Sequence, residues 1–434
     1  MRYQRGLGVE SDAPRNGGCG AMSPAALSLL ALLVVIAASL TSRVNIGVLA
    51  VALAWPVATM GAGWKAEALM AVFPSSLFVT LVGVTLLFGI AQRNGAMAAV
   101  AQRAVGLFAN RTALLPPGLF IIACLVSTVG PGAIASTALI APLAMSLGLA
   151  AGVPAFLVAL MVANGANAGN LSPISAVGMI VQTQMQKAGL EGHEWTVWAA
   201  NFVAHLLAAV FAYFIFGGLS LRGETHSTPP AMPVLTRQIR VTLFVLGAWV
   251  LCVLAFKLNP GLSAFAAASL LIVGGAVDDV VAIGAIPWPV IVMVCGVATL
   301  IGVLEKTGGM EIFTTALARF ATPSTGNGAI AFVTGAISTY SSTSGVVYPA
   351  FLPAVPSLVQ KLGGGDPLQL ALSINVGAAL VDVSPLSTIG ALCVGALPAG
   401  RDPRPLFRSL MAWGFVMVFA GAAFCQIFIS LFVR

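Results

Sequence analysis

The chain is short of charge. Its 434 residues carry 20 Lys and Arg against 13 Asp and Glu, so only 8% are charged. Soluble globular proteins carry about 25%. With 59% hydrophobic residues, the sequence lacks the polar surface that a water-soluble fold of this length needs, and the bilayer is its natural solvent. The net charge of +7 is spread through short loops and forms no basic stripe or aromatic-studded groove, which excludes a nucleic-acid surface. The six cysteines have no zinc-type spacing. Cys124, Cys252, Cys295, Cys393 and Cys425 sit in apolar segments and Cys19 in the N-terminal tail, so they read as small core residues.

Other absences narrow the function. No Gly-x-x-x-x-Gly-Lys-Ser/Thr loop is present, so ATP does not drive this chain directly. His193-Glu194 lacks a second histidine at zinc-protease spacing, and no Gly-x-Ser-x-Gly elbow occurs. No helix carries the arginine ladder of a voltage sensor. An intramembrane enzyme would need a catalytic constellation, and only Asp382 and His205 are at hand, in different segments. The first 21 residues are polar and lack the apolar core of a signal peptide. They are either disordered or upstream of a true start at Met22.

What the sequence has is long apolar runs. They lie at roughly 23–40, 44–60, 72–91, 155–187, 195–219, 238–256, 262–277, 287–304, 367–399 and 406–432. Two more stretches, roughly 113–148 and 325–359, are interrupted at Ser127-Thr128-Val129-Gly130-Pro131-Gly132 and Ser338-Thr339-Tyr340-Ser341-Ser342-Thr343-Ser344-Gly345. Arms of about 12–15 residues fall short of a full crossing, which predicts re-entrant hairpins. A pair of ordinary short helices is the alternative.

The two halves resemble each other. Gly83-Val84-Thr85-Leu86-Leu87-Phe88-Gly89 pairs with Gly296-Val297-Ala298-Thr299-Leu300-Ile301-Gly302, and Ser127-Thr128 with Ser338-Thr339. Pro142 pairs with Pro353, Asn164 with Asn375, and Ser172-Pro173-Ile174-Ser175 with Ser384-Pro385-Leu386-Ser387, all in one order and about 212 residues apart. Shared membrane composition explains one such match but not their common order. The expectation is an all-α polytopic membrane protein of two inverted repeats, each of about five transmembrane helices plus one re-entrant hairpin, with discontinuous helices at the site. An odd number of crossings per half makes the repeat inverted, an arrangement common in secondary transporters. The predicted layout is a tail at 1–21, a first repeat at 22–222, a cytoplasmic linker at 223–236 and a second repeat at 237–434. With the N-terminus outside, ten arginines, among them Arg43, Arg93, Arg103, Arg237 and Arg404, fall inside. Five lysines with Arg319 and Arg434 fall outside, in line with the positive-inside rule. Arg2, Arg5 and Arg15 of the tail run against it.

The chemistry concentrates in two segments. Residues 164–175 and 375–388 both contain Asn/Asp-x-Ser-Pro-x-Ser, through Asn170 and Asp382. Proline removes a backbone donor and breaks a helix inside an apolar run, and the freed backbone must line a wet cavity or be buried in protein. The N–H end of the second half-helix suits an anion, and the free carbonyls of the first suit a cation. Ser127, Thr128, Asn170, Ser172, Ser175, Ser338, Thr339, Ser384, Ser387 and Thr388 are the expected substrate-binding residues. Asn164, Asn167, Gly169, Asn375, Ala379 and Asp382 are the expected cation-coupling residues, holding Na⁺ or, at Asp382, a proton. Small and polar residues also serve helix packing, the plainer use of these motifs. Asp382 is the only acidic residue well inside an apolar run, and its repeat mate is the neutral Asn170. His205 reads as a packing or interhelical hydrogen-bonding residue.

These paired Asn-rich and Ser-Pro motifs resemble the ion transporter superfamily. Asn164-Gly165-Ala166-Asn167-Ala168-Gly169-Asn170-Leu171-Ser172-Pro173, with Arg43-Val44-Asn45-Ile46-Gly47, resembles MatC-type dicarboxylate carriers, and divalent anion:sodium symporters are more distant relatives. The resemblance implies a homodimer in the bacterial inner membrane, an elevator movement, malonate or a C4-dicarboxylate as cargo, Na⁺ or H⁺ as co-transported ion, and no other cofactor. In the symporters both hairpin tips carry Ser-Asn-Thr. Here they read Ser127-Thr128-Val129 and Ser338-Thr339-Tyr340, so family contacts transfer better to the breaks than to the tips. Other organic acids, an exported oxyanion, or an uncoupled anion channel are the alternatives left open.

Overall fold

A computed structural model describes residues 22–41, 44–108, 112–130, 132–221, 234–339, 341–398 and 400–433. The 1–21 tail with Cys19, the tip residues Pro131 and Tyr340, and 223–233 of the linker lie outside the described residues, as do Arg43 and Arg434. Among the described residues the chain is helical with no strand, and seven helices are long and apolar enough to cross a membrane.

The first half contains α1 (Pro24–Thr41), α2 (Ile46–Pro56), α3 (Ala66–Met70), α4 (Ser75–Arg93), α5 (Ala96–Gly106), α6 (Leu115–Val129), α7 (Gly132–Ala150), α8 (Ala155–Asn170), α9 (Ala176–Lys187) and α10 (Glu194–Ile215). The second half contains α11 (Arg237–Phe256), α12 (Pro260–Val273), α13 (Asp279–Gly284), α14 (Trp288–Lys306), α15 (Gly309–Ala318) and α16 (Gly326–Ser338). It continues with α17 (Tyr348–Phe351), α18 (Val355–Leu362), α19 (Pro367–Leu380), α20 (Thr388–Gly395) and α21 (Arg404–Phe428). The order recurs element for element, with α17 and α18 in the place of α7. Pro142 stays inside α7, whereas its mate Pro353 stands in the gap between α17 and α18.

Polar bonds at helix ends tie the halves together. Thr307 donates to Ser28 at 2.7 Å, joining the start of α1 to the end of α14. Asn94 donates to Thr242 at 2.7 Å, joining the end of α4 to the start of α11. Asn45 donates to the Pro289 carbonyl at 2.8 Å, joining the starts of α2 and α14. The packing of α2 on α14 and of α12 on α4 repeats one relation with the halves exchanged.

The interrupted stretches are two-armed. In the first, α6 lies alongside α8 in the same direction, with Phe120 against Gly165 and Cys124 against Gly169. Helix α7 turns back from Gly132, a left-handed position at φ +78°, and ends with Gly148 against Val158 near the start of α8. The break falls where the sequence placed it, but α7 runs 19 residues rather than 12–15. Nothing in its apolar sequence stops it earlier, and its one internal proline is tolerated. The second arm of the other stretch is divided: a π-helical turn (Thr343–Val347) leads through α17 to α18.

Candidate functional site

Both long apolar runs are broken helices. Helix α8 stops at Asn170 and α9 starts at Ala176; α19 stops at Leu380 and α20 starts at Thr388. Pro173 and Pro385 supply no N–H and disfavour helical geometry in the preceding residue, so each chain leaves the helix there. The serine two residues after each proline restarts it. Ser175 accepts from the Gly178 N–H at 2.9 Å and donates to the Asn170 and Ser172 carbonyls. Ser387 accepts from the Gly390 N–H at 3.4 Å and donates to the Asp382 and Ser384 carbonyls at 2.6 and 2.7 Å. One hydroxyl thus caps the new helix and gathers the carbonyls released by the old one. Gly178 and Gly390 make room for this fold-back: an added Cβ would lie 1.8 Å from the Ser172 carbonyl oxygen or 2.2 Å from that of Ser384.

The two breaks then differ. In the first half, tip and break close on each other. Asn170 Oδ1 accepts from the Ala133 N–H at 2.8 Å, at the start of α7. The Gly130 carbonyl accepts from the Ala176 N–H at 3.1 Å, at the start of α9. An N–H at the start of each of these helices is thus taken by the chain itself, and Asn170, Ser172 and Ser175 are buried. In the second half a cavity of about 130 Å³ opens, lined by Ser341 to Ser344, Asp382, Leu386, Ser387 and Thr388, with Ile134 of α7 across from them. At about 30 Å³ per water it has room for about four waters, the scale of a small organic acid. Asp382 is its one charged lining residue and faces the Thr343 and Ser387 hydroxyls. Ser342 caps the π-helical turn by accepting from the Gly345 N–H at 3.1 Å.

Of the expected site residues, Asp382, Ser387 and Thr388 reach this cavity. The others stand elsewhere. Ser338 is bonded to Thr343 and to the Ala378 carbonyl and so ties the tip to α19, whereas Thr339 bonds back to the Gly335 carbonyl of its own helix. Ser341 to Ser344, one turn further on, face the space in their stead. Ser384 is buried behind the break, where its hydroxyl accepts from the Leu386 N–H. Ser127 is buried in α6, and Thr128 faces a separate apolar groove. Gly169 serves the close packing of α8 on α6: a Cβ there would lie 2.3 Å from the Cys124 carbonyl oxygen. Ala379 offers its carbonyl to the Asp382 N–H at 3.1 Å, inside the break. Asn164, Asn167 and Asn375 lie upstream of the breaks in fully buried helix. Asn164 Oδ1 meets His205 Nδ1 at 3.0 Å, the interhelical bond expected of that histidine. The Asn164 amide N–H is committed to the Leu160 carbonyl, so His205 carries its proton on Nδ1. Asn201 of α10, not singled out from the sequence, donates to the Asn167 carbonyl at 2.7 Å. Among the described residues no group of three or more His, Cys, Asp or Glu is placed to hold a metal ion.

Broken helices, two-armed insertions and a polar cavity among apolar spans define the class, a multi-pass membrane transporter, and comparisons with known proteins agree. Residues 22–170 match the model of the dicarboxylate carrier protein MatC N-terminus, in line with the resemblance carried by the Asn-rich segment. The YdaH transporter of Alcanivorax borkumensis, whose crystal structure has been described as having an unusual topology, is similar in fold. Its TM-score is 0.61 at 14% identity, covering 94% of this chain and 99% of that one. MtrF of Neisseria gonorrhoeae, described as illuminating a class of antimetabolite efflux pumps, gives 0.55 at 12% identity, covering 95% and 96%. The family and both structures are transporters, not enzymes. No curated protein matches the chain.

Proposed function

We propose that this chain is a secondary active transporter of small dicarboxylates of the malonate or C4 type, coupled to Na⁺ or H⁺, working by alternating access. The observation that carries the reading is Asp382 in the wall of the hydroxyl-lined cavity at the second break. An anion entering beside an ionised carboxylate is repelled. At about 5 Å and an effective dielectric of about 20, two unit charges cost about 3 kcal/mol. A proton on Asp382 or a Na⁺ beside it removes that cost, so binding of cation and anion is linked. The Ser387-capped start of α20 and the hydroxyls of Ser342, Thr343 and Thr388 supply donors for a carboxylate.

The architecture proposed is the inverted repeat with re-entrant hairpins. In support, the bonds Thr307–Ser28, Asn94–Thr242 and Asn45–Pro289 are those expected if α1 and α11, and α4 and α14, cross the membrane in opposite senses. With α6 alongside α8 and α7 running back, both ends of the first two-armed stretch lie on one face, which fits a hairpin as it fits two crossings, and Thr112–Val129 and Gly132–Ala150 are each long enough to cross. An elevator movement of the hairpin-bearing part, a homodimer, an N-terminus outside and a bacterial inner membrane follow from the resemblance and belong to the same proposal. Uptake of labelled malonate, succinate and citrate by proteoliposomes under imposed Na⁺ or H⁺ gradients tests it. Accumulation above the equilibrium level under one gradient is the expected result. Equilibration without accumulation would mean a channel, and uptake of none of the three acids would remove the substrate assignment.

A further inference from the structure

The cavity at the second break is lined unevenly. Every polar residue that lines it belongs to the second half. Among the described residues, the first half contributes Ile134 of α7 alone. Leu386, between Pro385 and the capping Ser387, is the other apolar lining residue. Neither side chain is spent in the core: Ile134 is 37% and Leu386 43% exposed.

The sequence of the two tips accounts for this. Residues 341–344 read Ser-Ser-Thr-Ser. At the 211-residue separation of Ser127 and Ser338, their counterparts 130–133 read Gly-Pro-Gly-Ala. The first tip therefore has no hydroxyl to offer at these positions, and the next residue along, Ile134, brings hydrocarbon instead. Its place is fixed by the chain around it. Gly132 makes the left-handed turn into α7, and the Ala133 N–H is held by Asn170 Oδ1 at 2.8 Å. Ser136 donates to the Ala123 carbonyl at 2.9 Å and pins α7 to α6. Helix α7 also packs on α20, whose first residue, Thr388, lines the same cavity. Ile134 is thus a wall set on well-anchored backbone.

We propose that Ile134 sets which dicarboxylates the cavity takes: acids with plain hydrocarbon between the carboxylates, in preference to hydroxy acids of the same length. This rests on the dicarboxylate reading and narrows it. The two carboxylates compete for the hydroxyls of Ser342, Thr343, Ser344 and Thr388, so the carbon between them is left to Ile134 and Leu386. A methylene there gains apolar contact. A hydroxyl there gives up water and meets no partner, and a polar group buried in that way is disfavoured by about 5- to 150-fold.

Competition against uptake of labelled malonate and succinate by proteoliposomes tests it. Hydroxymalonate should compete with malonate uptake at least about fivefold less well than unlabelled malonate. The better of L- and D-malate should fall behind succinate by a similar factor. Ile134→Thr and Ile134→Val are then compared, since threonine and valine differ only by a hydroxyl in place of a methyl. The hydroxy acid should gain on the plain acid several-fold more in Ile134→Thr than in Ile134→Val. Hydroxy acids that compete as well as the plain acids in the unsubstituted protein would overturn the inference. So would equal ratios in the two variants. Either result leaves accumulation of malonate or succinate, and with it the dicarboxylate reading, in place. Uptake of neither labelled acid by the unsubstituted protein would instead remove that reading and this inference together. If a variant is not recovered, the preference of the unsubstituted protein decides.

Discussion

Replacing Asn170 by alanine removes one hydrogen-bond acceptor and a little volume, at a point where tip and break of the first half are joined. The lost acceptor is Oδ1, 2.8 Å from the Ala133 N–H, and Asn170 is 7% exposed. Water does not readily replace it, so the N–H at the start of α7 is left buried without a partner. Such an orphan costs about 1–3 kcal/mol. At 1.4 kcal/mol per factor of ten, that is about a 5- to 150-fold shift in the unfolding equilibrium. Four buried cysteines, Cys124, Cys295, Cys393 and Cys425, make the assay direct, since a thiol-reactive fluorophore reports their exposure as purified protein is heated in detergent. The midpoint should fall by about 1–3 °C, since an unfolding entropy of about 2.1 cal/mol/K per residue makes 1 kcal/mol worth about 1 °C in a chain of 434 residues. Thr183→Ala, which removes only a hydroxyl bonded within α9, is the control and should shift little. An Asn170→Ala midpoint equal to that of the control would refute the closed tip-and-break arrangement.

Three further outcomes follow from the same geometry. Gly178→Ala and Gly390→Ala place a methyl onto the Ser172 and Ser384 carbonyls and should abolish recovery of monodisperse protein, whereas Gly247→Ala in α11, with open space around it, should not. Ser175→Ala and Ser387→Ala each remove a helix cap and should each destabilise by about 1 kcal/mol in the same thermal assay. Only Ser387→Ala should also raise the KM for uptake, because only Ser387 reaches the cavity. His205→Phe leaves Asn164 Oδ1 buried and unpaired and should cost about 1–3 kcal/mol. The double change with Asn164→Leu should cost less than the sum of the two single changes, and strict additivity in that cycle would show that the pair does not interact.

Much of this arrangement was legible in the sequence because its signals are local. Pro173 and Pro385 stand inside Ser-Pro-x-Ser motifs, where Ser175 and Ser387 lie at the spacing a cap for a restarted helix requires. The recurrence of these motifs gave the parallel order of elements in the two halves. The length of α7 was not legible, because an apolar run has no internal stop and a single proline inside a helix is tolerated. The lining of the cavity was not legible either. Whether a hydroxyl on a helix end faces a void or its own neighbours depends on packing, and Ser338 and Thr339 turned to Ala378 and Gly335 while Ser341 to Ser344 faced the space. The same holds for Asn201, an unremarkable residue in sequence that reaches across from α10 to α8.

The most direct measurement is cation dependence of dicarboxylate uptake in proteoliposomes carrying Asp382→Asn. A neutral amide of the same shape removes the repulsion that makes the anion wait for a cation, so the account predicts loss of stimulation by Na⁺ or acid outside, with downhill equilibration retained. At about 3 kcal/mol, the stimulation at stake in the unsubstituted protein is of order 100-fold. Undiminished cation-driven accumulation by Asp382→Asn would contradict the account.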